Sequence, residues 1–266
     1  MDSLELIRLV QQVALNNFAG SIFPVYRFNE GADPVHIGTC FAFEYRQRRF
    51  LATAAHVIDH KALGALGFAS TAASVPVEIA GQWHIVNPGD RPREEDPFDF
   101  AWHELTSEEA LRVPCIPTEK LEDADAPTSG LRLLTTIGFP VSKNKKIAPD
   151  NRRKGQIAPV RAQYSNTEMT PAAYYQARGM SIATHVAMKR EQRAVDSNGV
   201  EDNTIGHRGF SGGPLIYAGL TNSPVSIDGQ KIVGIILEGN EAIGTIVALR
   251  LSFLLRHIDR IFLEGA

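Results

Sequence analysis

Three residues of types that act together in nucleophilic catalysis stand far apart in the chain. Ser211 lies in the run GFSGGP, His56 ends the run TAAH, and Asp99 opens the run DFA. A serine hydroxyl becomes a nucleophile when a histidine takes its proton, and a carboxylate can hold that histidine in place. The glycines beside the serine allow a tight turn and let a substrate carbonyl approach main-chain N–H groups. The gaps of 43 and 112 residues mean that the fold must bring the three side chains together.

Two alternatives compete for parts of this constellation. Asp96, in the acidic run at 94–96, could take the place of Asp99, but we expect that run to be a solvated turn and prefer Asp99. His56 and His60 are four residues apart and could bind a metal ion from one face of a helix. The glutamate of the zinc-peptidase motif H-E-x-x-H is missing, and no third ligand is apparent. We therefore expect neither a metal nor an organic cofactor.

The composition is that of a globular protein with few special requirements. The 266 residues carry a net charge of -3 with both signs spread along the chain, which argues against nucleic-acid binding. Cys40 and Cys115 stand in apolar runs without redox or metal-ligand spacing, which predicts buried reduced thiols. No apolar run approaches the roughly 18 residues of a membrane span, and residues 1–17 lack the basic start of a signal peptide. We expect a cytoplasmic protein without a membrane partner.

The rest of the chain has the hydrophobicity pattern of an all-β protein between two helices. Residues 2–18 repeat apolar side chains at helical spacing, and an apolar stripe recurs from Leu251 to about Leu263. Between them, short apolar or alternating runs predict strands, and most connections are too short for crossover helices. Residues 119–130 have neither periodicity and predict a linker. The basic insertion at 141–155 predicts a solvated surface loop, with anion binding or partner docking as its alternative.

The order of these runs resembles that of chymotrypsin-fold, or trypsin-like, serine peptidases, over about residues 20 to 262. The matching runs are GTCF at 38–41, TAAH at 53–56, DFA at 99–101, IGFP at 137–140, GFSGGP at 209–214 and VGI at 233–235. The resemblance implies an all-β fold of two antiparallel six-stranded β-barrels with an extra N-terminal helix and a C-terminal helix. The expected divisions are a helix at 1–19, a first barrel at 20–118, a second barrel with its linker at 119–250, and a helix at 251–266.

The same resemblance implies a serine endopeptidase that hydrolyses peptide bonds in polypeptides. Ser211 would attack the scissile carbonyl, His56 would be the general base, and Asp99 would hold the imidazole tautomer. The main-chain N–H groups of Gly209 and Ser211 would form the oxyanion hole. Phe210 replaces the aspartate that pairs with a newly cut N-terminus in zymogen-activated relatives, which favours the intracellular or bacterial branch of the family.

The resemblance also places residues that would contact the substrate. Leu237, Glu238 and Gly239 match the substrate-binding strand. Ile205 matches the base of the primary specificity pocket, and Gly239 and Gly244 match its walls, which we expect to be open. An apolar base predicts an uncharged apolar substrate side chain just before the scissile bond, because a buried cation there would lack a partner. Glu238 at the rim would instead favour a basic side chain.

Two other functions stay open at this point. The first is a peptidase-fold module that no longer cuts and serves in binding or as a scaffold. The second is a serine esterase of the α/β-hydrolase type that uses Ser211, Asp228 and His257. The esterase requires a strand before the serine and a helix directly after it, and the glycines and proline at 212–214 disfavour that helix.

Overall fold

The computed structural model describes residues 3–29, 34–69, 75–79, 81–122, 132–195, 201–204, 206–219 and 229–264. Its first seven strands are β1 (Ile22–Phe28), β2 (Val35–Tyr45), β3 (Arg48–Thr53), β4 (Ala65–Phe68), β5 (Val77–Glu78), β6 (His84–Ile85) and β7 (Ala101–Glu104). The later strands are β8 (Leu133–Gly138), β9 (Ala162–Met169), β10 (His185–Lys189), β11 (Arg193–Val195), β12 (Glu201–Asn203), β13 (Pro214–Tyr217), β14 (Lys231–Asn240) and β15 (Thr245–Arg250). The helices are α1 (Ser3–Phe18), α2 (Ala55–Asp59), α3 (Ser107–Arg112), α4 (Pro149–Arg153), α5 (Ala172–Arg178) and α6 (Leu251–Glu264).

The first seven strands form one curled antiparallel sheet in the order β5-β4-β1-β2-β3-β7-β6. The two-residue turn between β2 and β3 has positive φ at Arg46 and Gln47, as a tight hairpin that follows the twist of its strands requires. The sheet has one strand more than the six that we expected. Its edge strands β5 and β6 are only two residues long, and within the described residues no ladder joins them, so the sheet stays open.

The second half confirms the predicted closed antiparallel barrel of six strands, in the order β10-β15-β14-β13-β8-β9. The ribbon of β11 and β12 is a separate pair that the sequence did not predict. The division of the chain at 119–130 stays a prediction, because 123–130 lie outside the described residues.

A shared core holds the two halves and α6 together. Phe50 and Trp102 of the first sheet pack with their rings 5.7 Å apart, and they belong to the same buried cluster as residues of β14, β15 and α6. The indole Nε1 of Trp102 donates a hydrogen bond to Nδ1 of His257 on α6, at 3.0 Å. Burial of one such aromatic side chain contributes about 1.5–3 kcal/mol to folding. The core therefore fixes the first sheet against the second barrel.

Both predicted terminal helices are present, and α1 packs on the second barrel. Val10 and Phe18 of α1 are fully buried. The Gln230 side chain donates to the Val10 carbonyl at 3.1 Å, and Arg161 donates to the Ala19 carbonyl at 2.9 Å. Among the described helices, none is long and apolar enough to cross a membrane. Both cysteines are free thiols, and Cys40 is buried as predicted, but Cys115 is only partly buried, so the expectation of burial is wrong for it.

Candidate active site

His56 and Asp99 meet because their strands are neighbours. β3 and β7 pair antiparallel with Thr53 opposite Ala101, so the residues just after Thr53 and just before Ala101 come together. The Asp99 carboxylate accepts from the main-chain N–H of His56 at 2.8 Å and lies 2.5 Å from His56 Nδ1. Its side chain is 8% exposed, whereas that of His56 is 37% exposed. Since Nδ1 faces the carboxylate, Nε2 is the ring nitrogen left for proton exchange.

Arg93 ties the neighbouring carboxylates together, which the sequence did not reveal. Its guanidinium lies 3.0 Å from Asp96, 2.9 Å from Asp59 and 4.0 Å from Asp99. Asp96 is only 5% exposed, so the expectation of a solvated turn at this residue is wrong. Its carboxylate pairs with Arg93 and accepts from the Phe98 N–H, and buried carboxylates need such partners.

Ser211 lies on a tight turn between two glycines of positive φ, +101° at Gly209 and +83° at Gly212. The Phe210 N–H donates to the His207 carbonyl at 2.8 Å, and the Phe210 ring is buried. A β-strand, not a helix, follows the turn, because β13 begins at Pro214. The α/β-hydrolase alternative is therefore wrong. Its His257 lies on α6 against Trp102, and its Asp228 lies outside the described residues.

The peptide bond before Gly209 has a fixed orientation. Its carbonyl, that of Arg208, accepts a hydrogen bond from the Val141 N–H at 2.8 Å. The N–H and C=O of a trans peptide point in opposite directions, so the Gly209 N–H faces away from Val141. In the described part of the chain, neither the Gly209 N–H nor the Ser211 N–H donates to a protein acceptor. Both groups are left for an oxygen atom of a bound molecule.

Thr39 on β2 holds the nucleophile turn from the side of the first sheet. Its N–H donates to the Ser211 carbonyl at 2.9 Å, and its hydroxyl donates to the Gly209 carbonyl at 2.6 Å. The same hydroxyl accepts from the Phe139 N–H at 3.2 Å. Thr39 lies in the run GTCF, and nothing in the sequence indicates this role for it. Thr39 thus joins the sheet of His56 and Asp99 to the turn of Ser211.

One cleft of about 560 Å³ is lined by the functional residues of both halves. His56, Asp99 and Ser211 line it together with Leu237, Glu238 and Gly239 of β14. Among the described residues, no hydrogen bond joins the Ser211 hydroxyl to the His56 ring. Such hydrogen bonds are often long in a ligand-free site and shorten when substrate binds.

His60, the second histidine of the metal alternative, lies beside a positive charge. Its Nδ1 is 3.3 Å from Nη1 of Arg27. Burial and the Arg27 charge both lower the pKa of His60. Within the described ranges, no group of three or more potential metal ligands is present.

The residues predicted to form the substrate pocket agree with expectation to different degrees. The Glu238 carboxylate accepts from the Tyr174 hydroxyl and lies 3.8 Å from Arg178, so its charge is partly compensated. The wall at Gly239 is not open as expected, because the His207 ring lies against it and a Cβ on Gly239 would stand 2.2 Å from His207 Cγ. Gly244 has φ of +59° and faces the Arg190 carbonyl. Ile205 lies outside the described residues.

The contact between the His207 ring and Gly239 was not predicted, because nothing in the sequence says which strand the ring meets. Burial is the main cause that lowers the pKa of His207, and the positive charge of Arg190 adds to it. Its Nδ1 lies 3.9 Å from the Glu241 carboxylate. At neutral pH a neutral ring therefore covers the wall of the cleft at Gly239.

No family model and no curated protein matches the sequence. Solved structures that are similar in fold include the following three. The VesB protease of Vibrio cholerae is 17% identical with a TM-score of 0.53, over 90% of this chain and 63% of VesB. The inactivated scabies mite protease paralogue S-I1 is 14% identical with a TM-score of 0.57, over 93% and 96% of the two chains. HL collagenase is 12% identical with a TM-score of 0.51, over 91% and 93%. The chain has the chymotrypsin-like fold.

Proposed function

We propose that the protein is a serine endopeptidase that cleaves polypeptides with Ser211, His56 and Asp99. The observation that carries the proposal is the His56–Asp99 pair, which opens into the same cleft as Ser211. The chymotrypsin-like fold of active proteases supports it. Leu237, Glu238 and Gly239 of β14 line the cleft, and the proposal places an extended substrate chain beside them.

The proposed reaction uses only groups of this chain and water. Ser211 Oγ attacks the scissile carbonyl carbon while its proton moves to His56 Nε2, and the carbonyl oxygen becomes an oxyanion. The N–H groups of Gly209 and Ser211 stabilise that oxyanion, and loss of one such donor typically raises the barrier by about 2.7–4 kcal/mol. The C–N bond then breaks, and His56 gives its proton to the leaving amine. Water attacks the acyl-enzyme by the same route and releases the acid.

Asp99 has the role of a positioning and charge-stabilising residue in this proposal. Its carboxylate holds Nδ1–H of His56 and so keeps Nε2 directed to the cleft. It also stabilises the imidazolium that forms when His56 takes the serine proton. Arg93, 4.0 Å from Asp99, contributes a positive charge that compensates the local excess of carboxylates.

A fluorophosphonate probe tests the proposal directly, because it labels only an activated serine. We expect the wild-type chain to be labelled and to cleave casein, and Ser211→Ala and His56→Ala to do neither. The matched control is Ser107→Ala, which removes an exposed hydroxyl on α3. Wild-type protein that resists the probe and cleaves no polypeptide would contradict the proposal.

A non-cutting binding module is the second candidate. It is favoured by the missing hydrogen bond between Ser211 and His56 in the described part of the site and by a similar fold in an inactivated protease paralogue. A peptide that binds the unlabelled wild-type chain, with the same affinity in Ser211→Ala, would support it.

A further inference from the structure

A strongly basic segment, residues 143–154, begins beside the nucleophile turn. It contains six basic residues, namely Lys143, Lys145, Lys146, Arg152, Arg153 and Lys154. Its single acidic residue is Asp150, so the segment sums to +5. Because the whole chain sums to -3, the remainder carries -8. The basic segment is therefore positively charged, whereas the rest of the chain carries a net negative charge.

The positive charges of the first three lysines in this segment are not paired with acidic side chains in the described part of the chain. Asp150 pairs with Arg153 inside the segment. Lys143, Lys145 and Lys146 are exposed, and across the described ranges none of them makes an ion pair. Unpaired like charges on one short segment add up to a positive surface potential that attracts acidic partners.

The start of the basic segment is held in place. The Asn144 side chain donates to the Pro140 and Val160 carbonyls, both at 2.9 Å, and accepts from the Val160 N–H at 2.8 Å. Ile147 packs against the cluster of Tyr26 and Ile157. The lysines on either side of Asn144 therefore project from an anchored loop.

The start of the basic segment lies near the cleft, although no described residue of the segment lines it. Val141 donates its N–H to the carbonyl of Arg208, a residue that lines the cleft beside Ser211. Lys143 is two residues further on, at most about 7 Å along the chain. Any polypeptide that lies across Ser211 and leaves the cleft on the side of Val141 passes the three lysines.

We propose that Lys143, Lys145 and Lys146 form a docking surface for an acidic stretch of the polypeptide substrate, within a few residues of the scissile bond. The inference rests on the proposed peptidase function and adds a substrate class to it. Electrostatic attraction of this kind raises the rate of encounter and weakens as salt screens it. The specificity of the protein for acidic sequences is then set outside the pocket at Gly239.

The test compares two peptides with the same scissile sequence, one flanked by Asp and Glu and one by Asn and Gln. We expect kcat/KM for the acidic peptide to exceed that for the neutral peptide about tenfold at low salt. The triple variant Lys143→Gln, Lys145→Gln, Lys146→Gln should lose that ratio, and the charge-keeping triple variant Lys143→Arg, Lys145→Arg, Lys146→Arg should keep it. An unchanged ratio in the Gln variant would overturn the proposal.

A binding measurement separates failure of the docking surface from failure of the peptidase proposal. Fluorescence anisotropy with the labelled acidic peptide and Ser211→Ala protein needs no turnover. Binding that weakens about tenfold when the Gln substitutions are added supports the docking surface even if wild type cleaves neither peptide. No difference between Gln and Arg variants, or displacement of the peptide by a single-stranded oligonucleotide at lower concentration than by the unlabelled peptide, would contradict it.

Discussion

The buried ring of His36 lies directly behind Gly209, on the side where any other residue would carry its Cβ. A Cβ on Gly209 would stand 2.8 Å from His36 Cε1 and 2.4 Å from the Phe139 carbonyl oxygen. The ring of His36 also packs edge-on against Tyr26, with the centroids 5.4 Å apart. The turn of Gly209 and Ser211 is thus backed by a titratable side chain that the sequence alone did not connect to it.

The first prediction concerns the pH dependence of stability. Burial lowers the pKa of His36 to about 4, from an ordinary value of 6.5. The unfolded chain then binds the proton more readily, so the free energy of unfolding falls as pH drops from 6.5 towards 4. At pH 4.5 the loss from one such histidine is about 2–3 kcal/mol.

Urea unfolding at pH 7 and pH 4.5 measures this loss. His36→Leu removes the titrating group, so the difference between the two pH values should shrink by that amount. The pKa of buried His185 is also lowered to about 4, and His185 would account for part of the remainder. An unchanged difference in His36→Leu would speak against this assignment.

The second prediction concerns Gly209→Ala. The new methyl group overlaps the Phe139 carbonyl and requires an unfavourable positive φ, so the peptide before residue 209 must move. We expect kcat to fall on the order of 100-fold or more, because an oxyanion donor is displaced. Gly206→Ala is the matched control in the same loop, since no atom lies within 4 Å of its added Cβ. Equal kcat in the two variants would be evidence against an oxyanion role for Gly209.

The third prediction distinguishes the hydrogen bonds of the Thr39 hydroxyl from the packing of its side chain. Thr39→Val keeps the volume but loses the hydrogen bonds to Gly209 and Phe139. We expect kcat to fall about tenfold or more with little change in KM, as the turn loses its clamp. Thr39→Ser should restore most of kcat, and a Ser variant as slow as Val would argue that packing alone matters.

The fourth prediction concerns the wall of the pocket at Gly239. His207→Ala removes the ring that lies on Gly239, which leaves room for a larger side chain before the scissile bond. In a peptide library, kcat/KM for Leu or Phe at that position should rise roughly tenfold relative to Ala. His60→Ala is the control, because His60 lines the same cleft. A rise for Lys or Arg that Glu238→Gln abolishes would instead assign the preference to Glu238.

The fifth prediction concerns removal of residues 1–18. Phe210 is buried and apolar, so it offers no partner to a freed amino terminus. Val10, Ala14 and Phe18 are fully buried in the fold. We expect the shortened chain to lose several kcal/mol of stability, on the scale of three core side chains, and to gain no activity. Higher specific activity after truncation, measured with the same peptide, would indicate that α1 restrains the site.

The sequence predicted most about the candidate site where the type of side chain determines the reaction it can perform. The order of His56, Asp99 and Ser211 follows from motif, both terminal helices follow from periodicity, and the closed second barrel follows from the family resemblance. Asp96 was misjudged and Arg93 was not singled out, because a charged run predicts exposure unless the fold buries it. Thr39 was overlooked for a related reason, since its hydrogen bonds reach residues 100 and 170 positions away. The His207 ring on Gly239 belongs to a contact between a loop and strand β14, which no local pattern encodes.

The order of the elements along the chain has a consequence for biosynthesis. His56 and Asp99 lie on the first sheet, whereas Ser211 stands just before β13 and is followed by β14, β15 and α6, which complete the shared core. His56 and Asp99 therefore leave the ribosome long before Ser211, and β14, β15 and α6 follow later still. Under the proposed function, a nascent chain cleaves nothing until these later elements have emerged and folded. Its onset of cleavage would report the completion of folding.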